Sequence, residues 1–226
     1  MALLILSLLL AFNVLQAAVL GYPSNGVNII YKDQAIIQND FCFPVVVTVN
    51  TRDIMVEKNS KSPLGIHKWN SWNWMPGKIN GLINSKSVSH PLKGKPKVSF
   101  GPEEAETHKG FNSFGYDFSI PEGTPVLAME KGIVVRVIGQ FKVPHQDKTR
   151  MEETNTIEVI HEDGTVARYS HLSPGSSKVK HCEVVNAGQV LALSGHVGYS
   201  AGPHLHVDIL RPVDGENYRT IPLKFK

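Results

Sequence analysis

The chain has 226 residues, of which 42% are hydrophobic and 19% charged, with a formal net charge of +3. That balance excludes a disordered chain and allows one or two packed domains. No basic run or basic-aromatic patch stands out, which sets nucleic acid aside as a partner, and the small positive excess suits an anionic partner as well as an ordinary surface.

The first twenty residues, MALLILSLLLAFNVLQAAVL, carry no charge and end in small residues. They read as a secretory signal peptide (residues 1–20) cleaved between Ala17 and Gly21, or as a membrane anchor, since about 20 apolar residues span a bilayer. Cleavage makes the mature chain an exported one, periplasmic or secreted. No later apolar run approaches this length, so no membrane span is expected after cleavage. The two cysteines, Cys42 and Cys182, either form one disulfide in an exported chain or stand as separate thiols.

Next come GVNIIY, QAIIQ and FPVVVTV, β-branched runs separated by Asn, Asp, Gly and Pro, which predict short strands between residues 26 and 49. Residues 57–95 are polar and turn-rich and read as a linker. Residues 21–95 are thus expected to form a small β-sandwich-like N-terminal domain and its linker. Trp69, Trp72 and Trp74 within it either stack on sugar rings or anchor a loop.

From Lys97 the pattern changes. KVSFGP predicts a strand and a turn. GTPVLAMEKGIVVRVIG holds two strands punctuated by Gly132. NTIEVIHEDGTVARYSHL is a hairpin turning at Glu162–Gly164. GQVLALSGHVG and HLHVDIL supply further strands. The polar stretch 140–155 reads as an inserted loop, either a wall of a binding groove or a solvated loop. Many short strands and no long helix predict an all-β, antiparallel sheet-rich domain over 96–226.

Ten histidines are present, so the question is which converge. On a strand, residues i and i+2 point to one face. His204 and His206 therefore share a face, and Leu205 packs on the other. Such a pair serves a metal or catalytic site, or lies on the surface. His161 reads as structural, and His196 as a loop residue or a substrate contact. His67, His90, His145 and His181 read as surface positions.

The surrounding motifs narrow the choice. THKG with His108, YDFSIPEGTPV with Asp117, RYSHL with His171 and SGHVGYSAGPHLH together resemble the lysostaphin-type (LytM-like) zinc metallopeptidases. These cut peptide bonds in peptidoglycan and share a barrel-sandwich-like duplicated hybrid motif. The resemblance covers residues 97–210. It implies that His108, Asp117 and His206 hold one Zn2+ ion and that His171 and His204 are unligated catalytic histidines. His204 is then the base and His171 the oxyanion stabiliser, with the two free to exchange or share roles. It also implies peptidoglycan peptides as partner; the oligomeric state is left open, with a monomer expected. The alternative is a non-catalytic regulator of other wall hydrolases, and a third reading is an enzyme kept latent by its N-terminal region.

One departure stands out. The family pattern is His-x-Gly-x-Asp, whereas nine positions separate His108 from Asp117. Either an insertion bulges out between Gly110 and Tyr116 with both ligands kept, or one ligand has changed. Asn112 stands four residues after His108, and an amide is a poor zinc ligand.

Overall fold

The computed structural model describes residues 26–31, 35–65, 71–79, 83–215 and 217–226. The signal-like segment, His67 and Trp69 lie outside the described residues. The described residues are built from strands, turns and two 3-10 turns at Gly110–Asn112 and Lys148–Arg150. The all-β expectation holds. No helix among the described residues is long and apolar enough to cross a membrane. The chain forms two compact units, one reaching Ile79 and including Pro212–Asn217, the other comprising Asn80–Arg211 and Tyr218–Lys226. Neither cysteine is a free thiol.

The first unit contains β1 (Val27–Tyr31), β2 (Ala35–Asn39), β3 (Val45–Val49), β4 (Arg52–Val56), β5 (Ser60–Pro63) and β6 (Trp72–Pro76). They pair as two three-stranded antiparallel sheets, β1-β2-β5 and β4-β3-β6. β3 is buried along its whole length, which explains why VVVTV shows no alternation. β5 and β6 fall in the stretch read as a linker. Trp72 is buried on β6 and Trp74 packs on Phe41 with ring centroids 4.9 Å apart, so both anchor this unit's packing.

The second unit contains β7 (Lys86–Val88), β8 (Tyr116–Ser119), β9 (Pro125–Leu127), β10 (Gly132–Ile138), β11 (Pro144–His145), β12 (Thr156–Ile160), β13 (Val166–Ser170), β14 (Val184–Val185), β15 (Val190–Leu193), β16 (Gly198–Tyr199), β17 (His204–Pro212), β18 (Tyr218–Thr220) and β19 (Leu223–Phe225). Its main sheet runs β14-β10-β12-β13-β17-β18, and β8 also pairs with β17. The predicted hairpin is β12–β13, with Gly164 at φ 82° in its turn.

One face of this sheet builds the core. Leu205, Val207 and Ile209 of β17, Ala167 and Tyr169 of β13, and Ile157 and Val159 of β12 are buried there. Each large aliphatic side chain so buried contributes about 1.5–3 kcal/mol. The Tyr169 hydroxyl accepts the Met129 N–H at 2.7 Å, so the ring's one polar atom has a partner. The opposite face carries the polar residues of the same strands.

A β-bulge decides which face Arg136 joins. Val134 lies in the core and pairs with Val159, yet Arg136 pairs with Glu158. The extra residue, Val135, shifts the alternation and moves Arg136 to the polar face.

Three histidines expected on the surface are partly buried, His181 among them. The His90 ring packs on Phe118 at 5.0 Å and Phe225 at 5.3 Å, because strand pairing brings the segment before β8 over an aromatic cluster. His145 is half-buried beside Tyr199, at 6.4 Å between centroids. His161 is structural, with Nδ1 3.0 Å from Lys86 Nζ. Burial, with the nearby Lys86 charge, pushes its pKa down to about 3.

Candidate metal centre

The site lies on the polar face, where β17 runs between β13 and β8. His206 is the direct cross-strand neighbour of Asp117 on one side and of Ser170 on the other. Strand register alone therefore brings an imidazole and a carboxylate together. His204 and His206 point to this face, as alternation predicts, while Leu205 is fully buried behind them.

His108 arrives differently. It sits in the loop between Gly101 and Gly115, outside any strand. Its Nδ1 lies 2.8 Å from the Gly101 carbonyl. A carbonyl only accepts, so Nδ1 carries the proton and Nε2 offers its lone pair. The loop is closed by the Glu103 N–H donating to Ser113 O and held by Thr220, whose hydroxyl accepts from Phe114 N–H and donates to Phe111 O. The loop rejoins β8 at Gly115. A Cβ there would come within 2.6 Å of His108 Nε2 and 2.7 Å of His206 Cε1, so only glycine lets the backbone pass between the two rings.

The three donor atoms converge. His206 Nδ1 is 2.9 Å from Asp117 Oδ1, His108 Nε2 is 3.4 Å from the same oxygen, and the two nitrogens are 3.3 Å apart. A tetrahedral ion with bonds of about 2.0–2.1 Å spaces its ligands by about 3.3–3.4 Å along each edge. Two imidazoles and one carboxylate are also a donor set that zinc takes, so the residues fit the ion. Asn112 is not part of this triangle; its Oδ1 accepts from Arg168 Nη2 at 3.4 Å.

Burial raises the Asp117 pKa, but the close approach of the His108 and His206 rings outweighs it and holds the carboxyl well below its ordinary range. Burial lowers the His206 pKa, and the carboxylates of Asp117 and Asp208 outweigh that and lift it to about 9. His206 Nε2 lies 3.2 Å from Asp208 Oδ2.

His171 and His204 stand beside this triangle, with ring centroids 4.3 Å apart. His171 follows β13 directly and adopts φ 63°, a conformation uncommon for a side-chain-bearing residue and concentrated at functional sites. Its Nδ1 donates to Val197 O at 2.8 Å, and His204 Nδ1 donates to Gly202 O at 2.8 Å. Each ring therefore leaves an unprotonated Nε2. Burial, aided by repulsion from His204, brings the His171 pKa to about 3. Burial also lowers that of His204. Both rings are neutral at neutral pH.

Asp117, His171, His204 and His206 border one groove of about 720 Å³, with His108 buried behind it. Glu106 and Thr107 of the His108 loop line it, as do Gln146, Met151 and Thr154 of the 140–155 stretch. That stretch is thus a groove wall. His196 bonds Ser200 O at 3.3 Å and does not line the groove. Sequence reading passed over Gly115, Arg168 and Asp208, although Gly115 was visible as the glycine of Gly-x-Asp.

Residues 111–219 match the family model described as Peptidase family M23, and this part of the chain is a Peptidase M23 domain. The match begins three residues after His108. The glycyl-glycine endopeptidase ALE-1 of Staphylococcus capitis is 32% identical over 132 residues, 58% of this chain and 33% of that protein. The peptidoglycan DD-endopeptidase ShyA of Vibrio cholerae is 34% identical over 132 residues, 55% of this chain and 28% of that protein. The chain thus spans about a third of the length of these relatives. The catalytic domain of lysostaphin from Staphylococcus simulans is 28% identical with a TM-score of 0.39, over 54% of this chain and 84% of that one. In the order His-x-Gly-x-Asp, Gly115 and Asp117 keep their places and Ser113 stands where the histidine would be.

Proposed function

We propose that the second unit is a zinc-dependent endopeptidase acting on peptide cross-links or stem peptides of bacterial peptidoglycan, in a chain exported to the periplasm or medium. His108, Asp117 and His206 hold the ion. The observation that carries this reading is the triangle of donor atoms, 2.9 to 3.4 Å apart, beside two neutral imidazoles on one groove. Membership of a peptidase family and similarity to wall endopeptidases support it.

Zinc bound there supplies Lewis acidity, which lowers the pKa of water and polarises a carbonyl. The rest falls to the chain. His204 is the base: its Nδ1–H is fixed on Gly202 O, so its neutral Nε2 is free to take a proton. A ring that has gained a proton becomes a donor, able to pass it to the leaving amine. His171, held at about 3, is too weak a base for that task at neutral pH. Its Nε2 accepts an N–H of the peptide, or stabilises the oxyanion when the proton is shared between the two rings. The groove walls hold the peptide and exclude water.

The test is digestion of purified peptidoglycan by the zinc-loaded chain. New amino groups should appear, disappear on chelation and return with zinc. Absence of release from every wall chemistry overturns the reading. A regulator of other hydrolases would purify without stoichiometric zinc and tolerate His204→Ala.

A further inference from the structure

The sheet face that carries His204 and His206 also carries four charges in a single row, three of them buried and Arg168 half-buried. Arg136 of β10 is opposite Glu158 of β12, Glu158 opposite Arg168 of β13, and Arg168 opposite Asp208 of β17. The signs alternate. Arg136 Nη1 donates to Glu158 Oε1 at 3.1 Å. Arg168 forks onto Asp208, through Nε to Oδ1 at 3.1 Å and through Nη2 to Oδ2. Asp208 and Glu158 are buried.

Such a row is poor value to the fold. Buried ion pairs lose in desolvation most of what they gain by attraction, and packed apolar residues do as well or better. Its position suggests another use. Asp208 does not line the groove, and its Oδ2 faces His206 Nε2, the one ring nitrogen not turned toward Asp117 and His108.

We propose that Asp208 and Arg168 are positioning residues for the metal, an inference that rests on the zinc reading above. The guanidinium fork fixes the carboxylate by two bonds. The carboxylate receives Nε2–H, which sets the tautomer and rotation of His206 and leaves the Nδ1 lone pair toward the ion. Glu158 and Arg136 brace Arg168 from behind, and the Val135 bulge is what puts Arg136 in the row. His108 has its own anchor in Gly101 O, so each imidazole ligand is held from its far side.

The experiment measures zinc affinity by chelator competition on the full chain. Wild type should bind one zinc. Asp208→Leu should raise the dissociation constant about 10–100-fold, and the near-isosteric Asp208→Asn, whose amide oxygen still accepts, about tenfold. Arg168→Met should act in the same direction. In the zinc-loaded protein, the imidazole 15N signals of His206 should show a single Nε2–H form in wild type and a changed pattern in Asp208→Leu. A merely structural role would lower Tm and leave affinity and 15N signals alone. Should Asp208→Leu fail to fold, Asp208→Asn carries both readouts. Wild-type affinity and unchanged signals in the variants overturn the inference alone. A wild-type chain that binds no zinc overturns the zinc reading and the inference with it.

Discussion

The donor triangle is assembled from two regions built on different principles. Asp117 and His206 come from adjacent strands, and the ladder between β8 and β17 sets their separation. His108 comes from a loop, held by one carbonyl, one closing hydrogen bond and the clamp of Thr220. The strand pair exists wherever the sheet exists. The loop ligand exists only while a fifteen-residue excursion, Gly101 to Gly115, keeps its shape. The lesson is that register makes geometry cheap, whereas a loop must order its own backbone to do the same.

That difference can be broken from either side. The largest effect belongs to the strand side: His206→Ala should lower zinc affinity by on the order of a thousandfold, one donor's share of a binding free energy on the order of 10–16 kcal/mol, and abolish hydrolysis, as read by metal analysis and wall digestion. His108→Ala should cost less, about a hundredfold, because ordering the loop already consumes part of what that bond returns. Equal losses in the two variants would show that the loop is as preformed as the strands. Gly115→Ala sharpens the point. Its methyl would push both rings apart, so zinc affinity should fall while the chain loses about 1–3 kcal/mol in denaturant unfolding.

A smaller effect tests the sheet apart from the metal. His161 is buried and neutral, with its pKa at about 3. The unfolded chain binds a proton there near pH 6.5, so the unfolded state holds more protons between those values. The stability from this group is therefore present above pH 6.5 and is lost as pH falls toward 3, by up to about 1.4 kcal/mol per pH unit. Urea unfolding of His161→Gln should show a shallower acid limb than wild type. The smallest effect is expected at the exposed pair of Lys148 with Glu106. Lys148→Ala should leave Tm within the scatter of the measurement.

Much of this was legible in the chain itself. Alternation placed His204 and His206 on one face, the hairpin at Glu162–Gly164 was readable from turn chemistry, and the β-branched runs near the start became strands. Four things were not. β5 and β7 are short and polar, SKSP and KSV, and pair through backbone atoms without an apolar pattern to announce them. Arg136 would be placed with Val134 by strict alternation, since nothing local signals the bulge at Val135. The row from Arg136 to Asp208 needs the register of four strands at once, which no single segment contains. His90 looked like a surface residue because its aromatic neighbours, Phe118 and Phe225, are far away in the chain.

The bulge in β10 has one more consequence. It splits the strand into two runs of opposite phase, so the same ribbon supplies valine to the interior on one run and a cation to the groove on the next. Were β10 to pair without the bulge while keeping Val135, inside and outside would be exchanged for every residue after it: Arg136 would turn toward the core and Val137 toward the groove, and the charges behind His206 would lose their far end.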